Sequence, residues 1–175
     1  MKYSDLPQFT KLGNYQINIS WDYLEPCLNK WQTDKLAKLE LNPDFQRGHV
    51  WSKEQQIKFV EYKLSGGPGA DIIYFNCVGW MNDYKGPFVL VDGLQRITAI
   101  LSFLHDEIPA YGYYLHDFDQ PLRFIKSDLL FNINNLKTRK EVLTWYIQIN
   151  SGGIAHTEEE IERVRRLLSE NLQEK

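Results

Sequence analysis

Residues 91–96 read Val-Asp-Gly-Leu-Gln-Arg, directly after the apolar run Phe88, Val89, Leu90 and directly before an amphipathic helical stretch. That order demands a strand-to-helix turn. It also sets a carboxylate, a glycine, an amide and a guanidinium on the turn itself. Backbone N–H groups at a helix start, together with a fixed positive charge, suit a phosphate group. The neighbouring carboxylate can hold a metal or orient a nucleophile. A plain turn between strand and helix needs the glycine but has no use for Gln95 and Arg96.

Elements on either side of this turn follow from apolar periodicity. Tyr15, Ile17 and Ile19 alternate as one face of a strand. Residues 22–33 suit a short helix interrupted at Pro26, and Lys35 to Leu41 suit either a strand or a helix end. Ser52 followed by Gln55 is a capping box that opens a helix over 53–64, with Ile57, Val60 and Leu64 as its buried stripe. Strands at 72–78 and 88–91 flank a polar turn at 82–86, which makes a hairpin. The helix after the hexapeptide carries Ile97, Ile100, Leu101 and Leu104 on one face. Between 107 and 136 the alternation of Tyr111, Tyr113 and Leu115, and less cleanly of Leu122, Phe124 and Ile133, points to short strands. A helix then runs from Thr138 to about Ile149, with Val142, Trp145, Tyr146 and Ile149 inward. Thr157 with Glu160 caps a last helix carrying Ile161, Val164, Leu167 and Leu168. There is no internal repeat and no low-complexity linker, so residues 1–175 read as a single α+β domain.

Composition narrows the function classes. Net charge is −3, so any contact with DNA must be local, not a general basic attraction. Cys27 and Cys77 lie far apart without CxxC spacing, which reads as two buried thiols in a reducing compartment. The first residues show no basic-then-apolar leader and no apolar run reaches membrane-spanning length. A cytoplasmic protein without a membrane partner is the expectation. His49, His105, His116 and His156 have no zinc-site spacing. GxxxxGK[ST] is absent, which excludes a P-loop, and Ser151 lacks the surroundings of a nucleophile elbow.

Three polar clusters interrupt the regular elements. One holds Asp44, Gln46, Arg47 and His49; the second holds Asp92, Gly93, Gln95 and Arg96; the third is Asn150-Ser-Gly-Gly153. Taken singly, a surface turn accounts for the first, an Asp-Gly turn for the second and a helix C-cap for the third. Taken together, two arginines beside glycines and a Ser-Gly-Gly turn can wrap a polyphosphate. Trp51, next to Gln46 and Arg47, is placed to stack a base.

In this order the blocks Asn42-Pro-Asp-Phe-Gln-Arg-Gly-His-Val-Trp51, Val91-Asp-Gly-Leu-Gln-Arg-Ile-Thr-Ala99 and Ile147-Gln-Ile-Asn-Ser-Gly-Gly153 resemble the signature blocks of the GmrSD-type restriction family. The likeness is to its N-terminal domain, a branch of the ParB/sulfiredoxin superfamily. It implies an α+β fold with a small mixed β-sheet and packed helices, and nucleotide binding at the Asp-Gly-x-Gln-Arg turn. In that family the domain is associated with NTP hydrolysis that powers or licenses cleavage of modified DNA. Superfamily relatives bind CTP, phosphorylate small hydroxyl compounds or nick DNA.

Carried over by position, the resemblance makes Asp92 the catalytic or metal-orienting carboxylate, with Mg²⁺ the expected ion. Arg96 and Gln95 would contact phosphates beside Gly93. Arg47 and Gln46 would approach from the facing loop, and Asn150 and Ser151 would close the pocket. Arg47 and Arg96 would supply the main electrostatic stabilisation of phosphoryl transfer. Leu94 stands where the family usually has a second glutamine. The chain ends at Lys175, short of the large helical region and nuclease domain of complete restriction proteins, so a nuclease or helical partner protein is expected. Three readings follow: an NTP hydrolase or phosphotransferase, a non-catalytic sensor of nucleotide or modified DNA, and a DNA nickase.

Overall fold

The computed structural model describes residues 15–46, 48–120, 128–150 and 158–170, with side chains from residue 162 in the last segment. A five-stranded mixed sheet carries helices on both faces, an α+β fold as expected. In chain order the elements are β1 (Tyr15–Ser20), α1 (Trp21–Thr33), β2 (Leu39–Glu40), α2 (Lys53–Leu64), β3 (Ile72–Cys77) and β4 (Phe88–Asp92). They continue with α3 (Leu94–Leu104), β5 (Asp128–Asn134), α4 (Arg139–Asn150) and α5 (Glu158–Glu170). The sheet order is β1-β5-β3-β4-β2. β1 pairs antiparallel to β5 and β3 antiparallel to β4, while β3–β5 and β2–β4 are parallel.

Alternation along the central strands builds two cores. Ile73, Phe75, Phe88, Leu90, Leu129, Phe131 and Ile133 turn to one face and pack with α1, α2 and α3. Val89 and Val91 turn to the other, where Val142, Leu143, Trp145 and Tyr146 of α4 and Val164 of α5 cover them. β3 and β4 are therefore buried on both sides, and they read as the near-continuous apolar runs expected of such strands.

Several local expectations hold and several move. Ser52 accepts from Gln55 N–H while Gln55 Oε1 accepts from Ser52 N–H, the full capping box. Glu141 accepts from the N–H groups of Lys137 and Thr138 and anchors the start of α4. α1 is not interrupted at Pro26. It runs through, because Trp21, Leu24, Cys27 and Leu28 bury the inward face while Pro26 sits on the exposed side. The carbonyl that proline leaves unpaired can there be met by water.

The buried side of α2 is rotated from the expected stripe. Gln56, Phe59, Val60 and Lys63 are inside, with Ile57 and Leu64 only partly covered. Lys63 turns inward because it is ion-paired with Asp71 and donates to the Gly67 and Gly69 carbonyls at 2.8 and 3.0 Å. Strands were expected at 111–115, but the segment is a tight turn with one isolated bridge, Ala110–Tyr113, and a 3-10 turn at Leu115–Asp117. Tyr111 (φ 52°) and Gly112 (φ 81°) are both left-handed and fold the chain back on itself. Leu122, Phe124 and the Thr157–Glu160 cap lie outside the described residues or side chains. Among the described residues, no helix is long and apolar enough to cross a membrane.

Candidate functional site

β4 delivers Asp92 through a break in its own regularity. Leu90 faces the α3 side and Val91 the α4 side, so strict alternation would return Asp92 to the face of Leu90. The ladder slips between Tyr74 and Phe75, where Phe75 opposes Leu90 but Tyr74 opposes Asp92. This irregularity places two β4 residues, Val91 and Asp92, across from one, and turns Asp92 toward Tyr74 and α4. Re-aiming a side chain beside a site is a recurrent use of such bulges.

Gly93 then makes the turn. Its φ of 117° is outside the range of ordinary side chains, and a Cβ there would lie 2.5 Å from Ile73 Cδ1. Gly93 is the N-cap of α3 and no side chain caps the helix in its place. The first intrahelical bond runs from Ile97 N–H to the Gly93 carbonyl at 3.0 Å. The first-turn N–H groups before it have no partner within the helix, so the positive end of the helix dipole opens at the turn.

The charged pair of the turn is internal. Arg96 Nη2 donates to Asp92 Oδ2 at 2.5 Å across the strand-to-helix turn, with side chains 19% and 35% exposed. Tyr74 lies alongside. Burial first, and then the Asp92 carboxylate, push its phenol pKa upward, with Arg96 acting against them.

The two glutamines serve the architecture. Gln95 Oε1 accepts from the N–H groups of Val50 (3.0 Å) and Trp51 (3.1 Å), and its Nε2 donates to the Gly48 carbonyl at 3.1 Å. Three of the four hydrogen-bonding positions of that amide are thus used on one loop. Its structural role is a clamp that fixes residues 48–51 against α3. Gln56 holds the same loop from α2, with Nε2 within 3.0 Å of His49 Nε2 and donating to the Trp51 carbonyl at 3.3 Å. Gln46 is buried and donates to the Leu90 carbonyl at 2.5 Å, tying its loop to β4 just beyond the two-residue β2. Asp44 joins that loop to the helices. It receives both bonds of a 2.6 Å contact from Arg139 Nη2, and Arg163 donates to its carbonyl at 2.7 Å.

These elements enclose a cleft of about 340 Å³. Its lining includes Gln46, Trp51, Asp92, Gly93, Gln95, Arg96 and Asn150, so seven of the residues singled out in the sequence meet in one place. Arg47 and Ser151 lie outside the described residues. Trp51 packs its ring 5.4 Å from that of Phe59 while still lining the cleft, and Asn150 donates to the Tyr146 carbonyl at the end of α4. The sequence reading missed Tyr146 and Ile149, which form the α4 wall of the cleft, because it took them only as inward core positions. Asp92 is the one acid and Arg96 the one base among the described lining residues.

A family model described as the GmrSD restriction endonuclease N-terminal domain matches residues 28–135, more than half of the chain. The chain belongs to this family. Membership of the GmrSD N-terminal domain family suggests a restriction-related role. The match takes in the Asp44–Trp51 loop and the Val91–Arg96 turn but ends before Asn150, so the α4 wall of the cleft lies outside it. No curated protein and no solved structure matched the chain.

Proposed function

We propose that this GmrSD-family domain binds a nucleoside triphosphate in the cleft at the end of β4 and acts on its phosphates. The observation that carries the reading is the convergence at one turn of Asp92, the Arg96 guanidinium and the uncapped start of α3. Helix N–H groups and a guanidinium are complementary to phosphate oxygens. Trp51 offers an aromatic surface for the base, and the cleft volume falls in the range of small-molecule sites. Arg47, the neighbour of Gln46, would add a second positive charge.

Asp92 fits a magnesium ion that arrives with the nucleotide. Mg²⁺ commonly takes one or two protein carboxylates and completes its shell with phosphate and water. A resident metal held by protein alone fits less well, since the described residues contain no group of three His, Cys, Asp or Glu side chains placed to share an ion. In this reading Arg96 exchanges its Asp92 contact for phosphate oxygens when nucleotide enters, which leaves Asp92 to face the ion. The ion would supply charge neutralisation at the phosphates; Arg96 orients them and stabilises developing negative charge.

A second reading is favoured by one feature of the same lining. Asp92 is its single acid and is held by Arg96, so no separate general base stands beside it among the described residues. A sensor that binds nucleotide and signals to a nuclease or helical partner would need no more. Phosphate release from ATP, GTP, CTP and UTP with Mg²⁺, measured on wild type, Asp92→Asn and Arg96→Ala, separates the two. Release by wild type alone supports hydrolysis. Binding without release supports the sensor, and equal release by all three proteins refutes a role for this turn.

A further inference from the structure

A second cavity, of about 370 Å³, lies at the other end of β4. Phe88 lines it at the strand's first residue, whereas Asp92 lines the first cleft at its last. Four residues of rise separate them by roughly 13 Å, so the two sites are independent in space. Nothing in the nucleotide reading uses this second cavity.

Its walls are aromatic and set at right angles. Trp31 comes from α1, Trp80 and Tyr84 from the β3–β4 connection, and Phe88 from β4. The Trp31 and Trp80 planes meet at 88° with centroids 6.3 Å apart, and Trp80 and Tyr84 meet at 84° with centroids 5.5 Å apart. Trp80 and Phe88 are already stacked on each other at 5.8 Å, which leaves no slot between them for a planar ring. Perpendicular walls suit a compact, rounded guest better than a flat one. The mouth is open, since Tyr84 is 56% exposed and Leu36 beside it is about half exposed.

The aromatic faces, and not net charge, set the sign of that guest. Asp34, Asp83 and Lys30 line it, and with Lys85 paired to Asp83 the charges around the cavity balance. Asp34 is fixed in place by accepting from Leu36 N–H at 2.7 Å, and Asp83 accepts from Lys85 N–H while pairing with its ammonium at 2.9 Å. Cys77 adds no charge, because burial holds its thiol above its ordinary pKa. Aromatic faces carry negative quadrupole density, and three of them around one cation are a recurrent solution for alkylated ammonium groups.

We propose that this cavity is a binding site for a small organic cation of the alkylammonium class, enclosed by Trp31, Trp80 and Tyr84, with Asp34 in its lining. The cation can be free or carried on a methylated lysine side chain; the recognising chemistry is the same.

The test is calorimetric titration of the whole chain with tetramethylammonium, with tert-butanol as a neutral probe of similar shape, and with a trimethyllysine peptide beside its unmethylated form. Tetramethylammonium is expected to bind with a Kd on the order of 1 mM, at least about tenfold tighter than the neutral alcohol. Tighter binding of the methylated peptide than of the free ion would assign the side-chain source, and the reverse the free one. Tyr84→Leu should weaken the cation by about fivefold or more and Tyr84→Phe by about twofold at most, since only the first removes a ring. Tyr84 is exposed, so both variants should retain the wild-type circular dichroism; Trp80→Ala, which opens the core stack, is not relied upon. Equal binding of alcohol and cation, or no binding of either cation, would overturn the proposal. Neither result bears on nucleotide binding at the first cleft.

Discussion

Replacing Gly93 with alanine should damage the turn that presents Asp92 and Arg96, and two separate costs can be worked out. The backbone sits at φ 117°, where an L side chain costs about 1–3 kcal/mol. The new Cβ would also fall 2.5 Å from Ile73 Cδ1 and 3.0 Å from its Cγ2, and Ile73 is fully buried between β4 and β5. Relieving such a contact in a packed interior costs about another 1–3 kcal/mol. Gly93→Ala should therefore lose about 2–6 kcal/mol in urea unfolding, read as a lower midpoint at unchanged slope. Ile73→Val removes the Cδ1 atom that clashes and by itself costs about 0.5–1.5 kcal/mol. In that background the penalty of Gly93→Ala should shrink by about 1 kcal/mol or more, leaving the backbone part and the 3.0 Å contact with Cγ2. A loss below about 0.5 kcal/mol for Gly93→Ala, or strict additivity of the two changes, would refute the reasoning.

Gln95→Ala removes three bonds to residues 48–51 and should cost about 1–3 kcal/mol, with faster amide exchange at Val50 and Trp51; unchanged exchange would show that the clamp is not needed. Asp44 is held below the usual carboxylate pKa, chiefly by its hydrogen bond from Arg139. A lowered folded pKa contributes stability above the unfolded pKa of about 3.9 that is lost as pH falls through the folded value. Arg139→Ala should raise the Asp44 pKa and remove that part of the acid sensitivity; carboxyl NMR titration checks it, and an unmoved pKa contradicts it. Cys27 is pushed up to about 11 by burial, with Lys30 opposing, so it is almost wholly protonated near neutral pH. Aromatic disulfide reagents should label it slowly in the native protein and promptly in denaturant, and immediate native labelling of both thiols would be the contrary result.

How much of this was legible in the sequence depends on range. The capping box at Ser52, the strands at 15–20 and 72–77 and the helix after Gly93 rest on local rules, and those rules were enough. Tyr111 and Tyr113 looked like a strand because they alternate, yet two left-handed residues between Ala110 and Tyr113 make a turn, and left-handed φ at a tyrosine leaves no mark in a pattern. Lys63 on the buried face of α2 is decided by Asp71 and the glycine loop after it, partners that helical spacing alone does not reveal. At the site, Gln46, Asp92, Gly93, Gln95, Arg96 and Asn150 of the three clusters line one cleft. What could not be read was the division of labour within them. Gln95 and Gln46 each hold a backbone group more than forty residues away, a tie that their sequence neighbours do not reveal. The Asp44–Arg139 tie is equally long-range. Asp92's direction depends on a slipped register, which β4's own residues do not encode separately from β3.

The central claim is that the Asp92–Arg96 turn holds nucleotide phosphates, and binding tests it more directly than turnover. Titration calorimetry of wild type and Arg96→Ala with each of four nucleoside triphosphates in Mg²⁺ is the decisive measurement. The account predicts stoichiometric binding of at least one nucleotide by wild type and a loss of about tenfold or more in Arg96→Ala, whose circular dichroism should stay native. Equal affinity in the two proteins, or no binding of any nucleotide by wild type, would contradict it.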